Sequence, residues 1–403
     1  MSLPPLVEPA ADLGPDEVRR YARQVTLPAL GLTGQRRLAA ARVLVVGAGG
    51  LGSPVLLYLA AAGVGTIGVV DDDVVDPTNL HRQVVHGTGD VGRAKVDSAA
   101  DTVAAVNPLV TVVRHRERLT SANALDVLRG YHLVIDGTDT FPTRYLVGDA
   151  CAILGLPCVW GSVLRFDGQV SLFWAAPPPG PDGVAEPGVT YRDLFPEPPP
   201  PGSVPSCAEG GVLGAVCAVV GATMATEALK LVTGTGRSLL GRLLVYEGLG
   251  ATWREIRVRP AGERPAVTEL VDYEAFCGVG PGRGVQARPG DEVTAPELAA
   301  LLADRERGAA DFVLVDVREP WEREIVAIPG AVPVPVGGIR SGEALPGLAE
   351  LAAGRRVVLH CKSGGRSAEA LALLRSAGFA DAVHLAGGVL AWVEDVDPGQ
   401  DTY

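Results

Sequence analysis

The chain has 403 residues, 47% apolar and 20% charged, with 47 acidic side chains against 35 basic and a formal net charge of −12. That length exceeds one ordinary core and suits two or three domains, and the acidity excludes a nucleic-acid groove as the main function, since phosphate backbones require concentrated Lys and Arg. Glycine and proline are abundant, 51 and 32, but follow no period, which excludes a collagen-like chain.

Residues 1–15 read as a loose tail, with neither the basic segment nor the apolar core of a signal peptide. A helix carrying Arg19, Arg20, Tyr21 and Arg23 follows, then a turn at Pro28 and a short helix over 32–40. The apolar strand 42–46 leads into Gly47, Gly49, Gly50 and Gly52 and a helix over 53–62; a second strand, 66–70, ends in Asp71. The dense polar segment 71–83 holds Asn79 and Arg82, and Lys95 opens a helix over 95–106 that Asn107 and Pro108 stop. Strands over 109–113 and 132–135 come next, the latter feeding Asp136-Gly137-Thr138-Asp139. Strands alternating with helices predict a parallel sheet covered by helices on both faces.

Residues 175–205 contain eleven prolines and read as a surface or active-site loop, too long for an ordinary connection. The loop runs into Cys207 and Glu209, then into the apolar stretch 211–229, whose glycines and Glu227 suit a buried helix better than a membrane span. Strands near 241–246 and 253–258 close a first domain at 15–260, and the Gly-, Pro- and Arg-rich segment 261–290 reads as a linker. A second α/β domain over 291–400 has a strand 312–316 ending in Asp316 and a strand 356–360 feeding Cys361 and a helix to 377. A last strand over 382–385, Gly387-Gly388 and a short helix around Trp392 complete it. From Asp291 onward there are 18 acids against 10 bases, so most of the negative charge sits in this domain. The six cysteines form no CxxC pair and are too sparse for a disulfide scaffold, so a reduced, cytoplasmic setting is expected, with Cys151, Cys158 and Cys217 in the core and Cys277 unassigned.

Two places carry chemistry. In Gly47-x-Gly49-x-x-Gly52, between strand and helix, the first glycine makes the turn, the second lets backbone approach phosphate and the third lets helix and strand pack. Asp71, at the next strand end, is placed for a ribose hydroxyl. NAD or FAD is the plain reading of that context. Arg82 and Lys95 fit instead a nucleotide whose α-phosphate is attacked, with Asp139 able to hold Mg²⁺ against the phosphates. The second place is Cys361, followed by Lys362-Ser363-Gly364-Gly365-Arg366-Ser367 at a strand-to-helix turn. A backbone nest there, with Arg366 nearby, suits a thiolate that holds a persulfide. The chain has only three lysines, and two of them, Lys95 and Lys362, lie in these places, while Lys230 ends a helix. A nicotinamide or flavin oxidoreductase would not explain the thiol loop, and a non-enzymatic scaffold for a ubiquitin-like protein would need no phosphate site.

With these motifs in place the sequence resembles the MoeB/ThiF, E1-like enzymes that adenylate ubiquitin-like sulfur carrier proteins, in the two-domain form with a C-terminal rhodanese domain. The resemblance covers about residues 15–400. It rests on RYARQ (20–24), VLVVGAGGLGSP (43–54), DDDVVDPTNLHRQ (71–83), GRAKVDSA (92–99), DGTDTFPTRYL (136–146), LFPEPPPPGSVPSCAEGGVLG (194–214) and CKSGGRS (361–367). It implies an α/β protein: a Rossmann-like E1/ThiF adenylation domain with a smaller α/β rhodanese domain, framed by Asp316-Val317-Arg318 and Gly387-Gly388, where Asp316 and Arg318 are structural. It places ATP and Mg²⁺ in the first domain, Asp71 on the ribose, Asn79, Arg82 and Lys95 on the phosphates, and Asp139 on Mg²⁺ and the attacking carboxylate. Arg23 would reach the neighbouring subunit's ATP site, which implies a homodimer, and Cys207 would form a thioester or disulfide with the carrier.

The implied reaction adenylates the C-terminal glycine of a carrier ending in Gly-Gly. A persulfide on Cys361, loaded by a cysteine desulfurase or thiosulfate, then delivers sulfur to give a thiocarboxylate. The resemblance favours a carrier of the molybdopterin-synthase small-subunit type; thiamine, cysteine, 2-thiosugar or tRNA-thiolation carriers, or adenylation with an inert rhodanese domain, are the alternatives. Neither nucleic acid nor membrane is an expected partner. The family usually holds a structural zinc with two CxxC pairs; here the first reads Thr190-Tyr191-Arg192-Asp193 and the second, over 261–266, has no cysteine, so no structural zinc is expected. Thr140 and Gly148, where Asn is usual, are expected to alter substrate fit.

Overall fold

The structure is a computed structural model that describes residues 3–180, 183–184, 187–200, 210–262, 266–278 and 290–402. Two compact units divide the chain, Met1–Val279 and Gly280–Tyr403.

The first unit opens with α1 (Pro15–Val25) and α2 (Gly31–Ala40), then β1 (Arg42–Val46), α3 (Gly52–Ala62) and β2 (Thr66–Val70). After α4 (Lys95–Val106) come β3 (Thr111–His115), α5 (Ala124–Arg129), β4 (Leu133–Asp136), α6 (Phe141–Leu154), β5 (Cys158–Leu164) and β6 (Asp167–Phe173). Beyond the short α7 (Tyr191–Leu194) lie α8 (Gly214–Thr233), β7 (Arg242–Glu247), β8 (Thr252–Arg257) and α9 (Tyr273–Phe276). The strands form one sheet in the order β3-β2-β1-β4-β5-β6-β7-β8.

β1 is apolar beyond Arg42 because both of its faces are covered. Val43 and Val45 enter one hydrophobic cluster with α3 and α8, while Leu44 and Val46 enter another with Tyr145 and Trp160. Only part of the sheet is parallel, contrary to expectation: β3 through β5 run parallel, whereas β5, β6, β7 and β8 pair antiparallel. Two residues, Arg165 and Phe166, separate β5 from β6, too few for a crossover, and Arg165 turns the hairpin at φ 56°. The terminal strand β8 is exposed throughout and carries Arg254, Glu255 and Arg257, charges that blunt an open edge.

α8 is long and apolar enough to cross a membrane, yet Val216, Val220, Met224, Ala228 and Leu231 are buried in the first unit's core. Its buried Glu227 accepts the Leu239 N–H at 2.6 Å and pairs with Lys230. The segment 266–278, read as linker, belongs to this unit. Asp272 caps α9 by accepting from Glu274 and Ala275 N–H, and Tyr273 and Cys277 are buried beside Tyr145 and Tyr191.

In the second unit a five-stranded parallel sheet runs β11-β10-β12-β13-β9, with β9 (Glu292–Val293), β10 (Phe312–Asp316), β11 (Val332–Pro333), β12 (Arg356–His360) and β13 (Val383–Leu385). α10 (Ala295–Glu306), α11 (Pro320–Ile325), α12 (Val336–Arg340), α13 (Leu345–Ala352), α14 (Gly365–Ser376) and α15 (Gly388–Asp395) connect and cover the strands. β12 is central, so Cys361 leaves the carboxyl end of the middle strand, where open α/β sheets bind ligands.

Candidate active sites

The turn after β1 works through two of its glycines. Gly47 has φ 90°, and a Cβ on Gly52 would lie 1.8 Å from the Gly47 carbonyl oxygen, so α3 leaves the strand along a path only glycine permits. Between them Ala48 is held from both sides. Its N–H donates to Asp71 Oδ2 at 2.8 Å, and its carbonyl faces His86 Nε2 at 3.0 Å, with His86 Nδ1 2.8 Å from Ser98 Oγ. Burial pushes the Asp71 carboxyl up, against the pull of Lys95, and holds the His86 imidazole below its ordinary value. A neutral ring with hydrogen on Nε2 matches those two contacts.

This turn forms one wall of a cavity of about 610 Å³ that also takes in Asp71, Asn79, Arg82, Lys95 and Asp139. Lys95 begins α4 with only 6% of its surface exposed, and its Nζ lies 2.8 Å from Asp73 Oδ2. Arg82 donates to the Thr78 carbonyl at 3.0 Å beside the His81 ring. On the other side, buried Asp136 accepts the Thr138 N–H and hydroxyl at 3.0 and 2.7 Å, and Arg144 donates twice to the Thr138 carbonyl. Burial pushes the Asp136 carboxyl up. That bracing presents Asp139 exposed at the cavity lip.

Oxygen donors suit a hard divalent cation. Asp139 supplies one, and among the described residues Asp71, Asp72 and Asp73 offer carboxylate oxygens within 4.8 Å of one another, so Mg²⁺ fits the donor set. Zinc does not fit where the resemblance would put it. Asp193 Oδ2 accepts from Thr190 N–H and hydroxyl, and its Oδ1 accepts the Ala261 N–H at 2.8 Å, so a carboxylate joins the two loops. Beside it Arg192 makes two hydrogen bonds to buried Asp149, which Tyr273 also reaches.

The cavity brings together Gly47, Gly49, Gly50, Asp71, Asn79, Arg82, Lys95 and Asp139, and leaves out Gly52, which packs, and Arg23, exposed on α1. Two expectations change. Gly148 lies away from the cavity, where a Cβ would come 2.8 Å from that of Tyr191, so it is a packing position; Thr140 does line the cavity. Cys217 is buried but also lines the cavity, near Gly50, rather than lying wholly in core. Asp73, His86 and Arg144 escaped the sequence reading, because nothing in their spacing marks them as supports. Cys207 and Glu209 lie outside the described residues.

In the second unit Cys361 is 1% exposed, and the Gly364 N–H donates to its Sγ at 3.1 Å. α15 seats the loop from behind: Val389 and Leu390 N–H donate to the Cys361 and Lys362 carbonyls at 2.8 and 3.1 Å. A Cβ on Gly388, at φ 60°, would lie 2.5 Å from the same oxygens. Asp316 and Arg318 are fully buried and make paired hydrogen bonds, with Arg318 also reaching the Val326 carbonyl. Arg366, expected beside the thiol, forms a two-pronged pair with Glu322 at 2.7 and 2.6 Å.

The sequence matches the ThiF family over residues 21–266 and the Rhodanese-like domain over residues 294–395. It is 56% identical over 402 residues to the probable adenylyltransferase/sulfurtransferase MoeZ of Mycobacterium tuberculosis, a match covering 100% of this chain and 99% of that one. The adenylyltransferase and sulfurtransferase MOCS3 of Mus musculus is 41% identical over 422 residues, covering 98% and 89% of the two chains. The sulfur carrier protein adenylyltransferase of Thermus thermophilus is 54% identical over 270 residues, 66% of this chain and 98% of that one. Among solved structures, Escherichia coli MccB crystallised with AMPCPP and MccA shares the fold at TM-score 0.51 and 18% identity, over 61% of this chain and 73% of that one.

Proposed function

We propose, for a chain that belongs to the ThiF family and carries a rhodanese-like domain after that unit, ATP-dependent adenylation of a sulfur carrier protein followed by sulfur transfer to the activated carboxyl. Adenylyltransferase and sulfurtransferase activities go with that architecture. One observation carries the first step: a single cavity holds the glycine turn, the Asp71 carboxylate, the cations Arg82 and Lys95, and Asp139 at its lip.

ATP enters as substrate. The amides after β1 face its phosphates at the start of α3, and Asp71 receives the ribose. Lys95, paired with Asp73, exchanges that carboxylate for phosphate oxygens, and Arg82 and Asn79 contact the same group. The terminal glycine carboxylate of the carrier attacks the α-phosphorus, the bond to pyrophosphate breaks, and an acyl-adenylate remains. Arg82 and Lys95 stabilise charge that grows on the phosphoryl oxygens. Mg²⁺ would be held by Asp139 and would neutralise phosphate charge.

In the second step a Cys361 persulfide, loaded from a cysteine desulfurase or thiosulfate, displaces AMP and leaves an acyl disulfide. An external thiol attacks the Cys361 sulfur, releases the thiocarboxylate and leaves a mixed disulfide that a further thiol reduces; Cys207 is assigned to the thioester or disulfide with the carrier. Arg23 completes the ATP site of a second subunit, and the favoured carrier is of the molybdopterin-synthase small-subunit type. The test is ATP–pyrophosphate exchange against each Gly-Gly-ended carrier of the same genome, with mass detection of the thiocarboxylate. Exchange with one carrier is expected, and none with any carrier would overturn the proposal.

A further inference from the structure

Cys361 has a hydrogen-bonded route to a base. Ser367 Oγ, fully buried at the first turns of α14, lies 3.5 Å from Cys361 Sγ and 3.3 Å from Nδ1 of His384 on β13. The far nitrogen of that ring, Nε2, lies 3.4 Å from Glu292 Oε1. The contact follows from strand register: His384 is directly opposite Glu292 in the β13–β9 pair, and opposed side chains share a face. Two other basic side chains of the loop region face acidic groups. Arg366 pairs with Glu322, and the His360 ring faces Asp316 at 3.7 Å.

We propose that Ser367, His384 and Glu292 form a relay that takes the proton from the Cys361 thiol and returns it when sulfur is handed on, a step that rests on the sulfurtransfer reading above. Glu292 fixes hydrogen on Nε2, which leaves Nδ1 as an acceptor. The Cys361 S–H bond breaks toward Ser367 Oγ while the hydroxyl's own proton passes to Nδ1, and the electron pair stays on sulfur. The product is a thiolate facing an imidazolium, with the serine hydroxyl reversed to donate to sulfur; its resting alternative acceptor is the Gly364 carbonyl at 3.0 Å. The thiolate then attacks the outer sulfur of a sulfane donor such as thiosulfate, forming the persulfide and expelling sulfite, so atoms and electrons balance without an oxidant. Ser367 is the catalytic residue here, since it touches the reacting sulfur, and His384 is a positioning residue that acts through it.

The charged groups around His384 are Glu292 and Asp291 on the β9 side, which favour the imidazolium, and Arg375 of α14, which opposes it while paired with Asp291 at 2.6 Å. Burial is the largest influence and lowers the imidazole below its ordinary value, so the resting ring is neutral and able to accept.

The test follows iodoacetamide alkylation of the full-length protein from pH 5 to 10, read by mass spectrometry on the Cys361 peptide. His384→Asn keeps an acceptor near Nδ1 but cannot take a proton, and Ser367→Ala removes the link. Each should move the midpoint of the curve up by about one pH unit, a roughly tenfold slower reaction on its acid side, and Ser367→Thr should restore it. An unchanged midpoint in His384→Asn, or a rate lowered equally at every pH, would overturn the relay. Alkylation needs no sulfur donor. A shifted midpoint in a protein that takes no sulfur from thiosulfate or a desulfurase would therefore sink the sulfurtransfer reading and leave the relay standing.

Discussion

The surroundings of single side chains at the two candidate sites predict different kinds of failure. Lys95 is almost fully buried, whereas its partner Asp73 has 66% of its side chain exposed. Lys95→Ala therefore leaves the Asp73 carboxylate solvated, and loss of that pair should change stability by less than about 1 kcal/mol. The same change should lower pyrophosphate exchange by on the order of 100-fold, the scale of losing one donor to a developing oxyanion; thermal melts beside exchange assays separate the two effects. Gly52→Ala should behave oppositely, because a Cβ 1.8 Å from the Gly47 oxygen must displace the turn itself, and its loss of exchange should come with a lowered melting temperature. In the second unit burial lowers the His360 imidazole to about 4. Between the unfolded value near 6.5 and that figure, the unfolded chain takes a proton that the folded chain refuses. The contribution of His360 is thus full above pH 6.5 and falls by about 3 kcal/mol as pH drops to 4. Hydrogen exchange of the β12 peptide should show that loss in the parent protein and a flatter profile in His360→Leu.

At the scale of elements, the loops that would share a metal are tied by ordinary side chains. Asp193 spans Thr190 and Ala261, and Arg192 reaches Asp149 while lying 4.7 Å over the Phe276 ring. Chelator treatment should leave the melting temperature unmoved, and stoichiometric zinc in the purified protein would contradict this reading. Arg192→Ala should cost about 3–5 kcal/mol in urea unfolding, since it leaves the buried Asp149 carboxylate with Tyr273 as its one side-chain partner among the described residues. The same region marks the limit of what the sequence discloses. β1, the glycine turn, α3 and the Cys361 loop were legible because strand, turn and helix signals sit side by side in the chain. The β5–β6 hairpin was not, because Arg165-Phe166 carries no turn signature and the strand before it reads only as an apolar run. α9 was missed for a related reason: four helical residues in a polar, glycine-rich segment join the core through Tyr273 and Cys277, a long-range contact with no local pattern. Ser367 stood inside a recognised motif, but its link to His384 depends on how α14 packs against β13, and the Glu292 contact on β13–β9 register, neither of which spacing encodes.

For the whole molecule, the division into two units predicts that the two chemistries can be broken one at a time. Cys361→Ala should leave carrier-dependent pyrophosphate exchange at the parent rate while thiocarboxylate formation disappears, and thiocarboxylate at the parent rate would refute sulfur delivery through this residue. Arg23 poses the complementary question within the first unit. It is exposed on α1 and does not line its own chain's cavity among the described residues, and the role proposed for it is in the site of a second subunit. Arg23→Ala and Lys95→Ala homodimers should each be inactive, the first for want of the partner's arginine and the second for want of its own lysine. In a mixed dimer one site is whole: the cavity of the Arg23→Ala chain keeps Lys95 and receives Arg23 from the Lys95→Ala chain. In a two-fold dimer, random reassociation of equal amounts makes about half the dimers mixed, each with one of two sites complete, so activity should return to roughly a quarter of the parent. If Arg23 serves only its own chain, neither chain in the mixture holds a complete site, and mixing restores nothing.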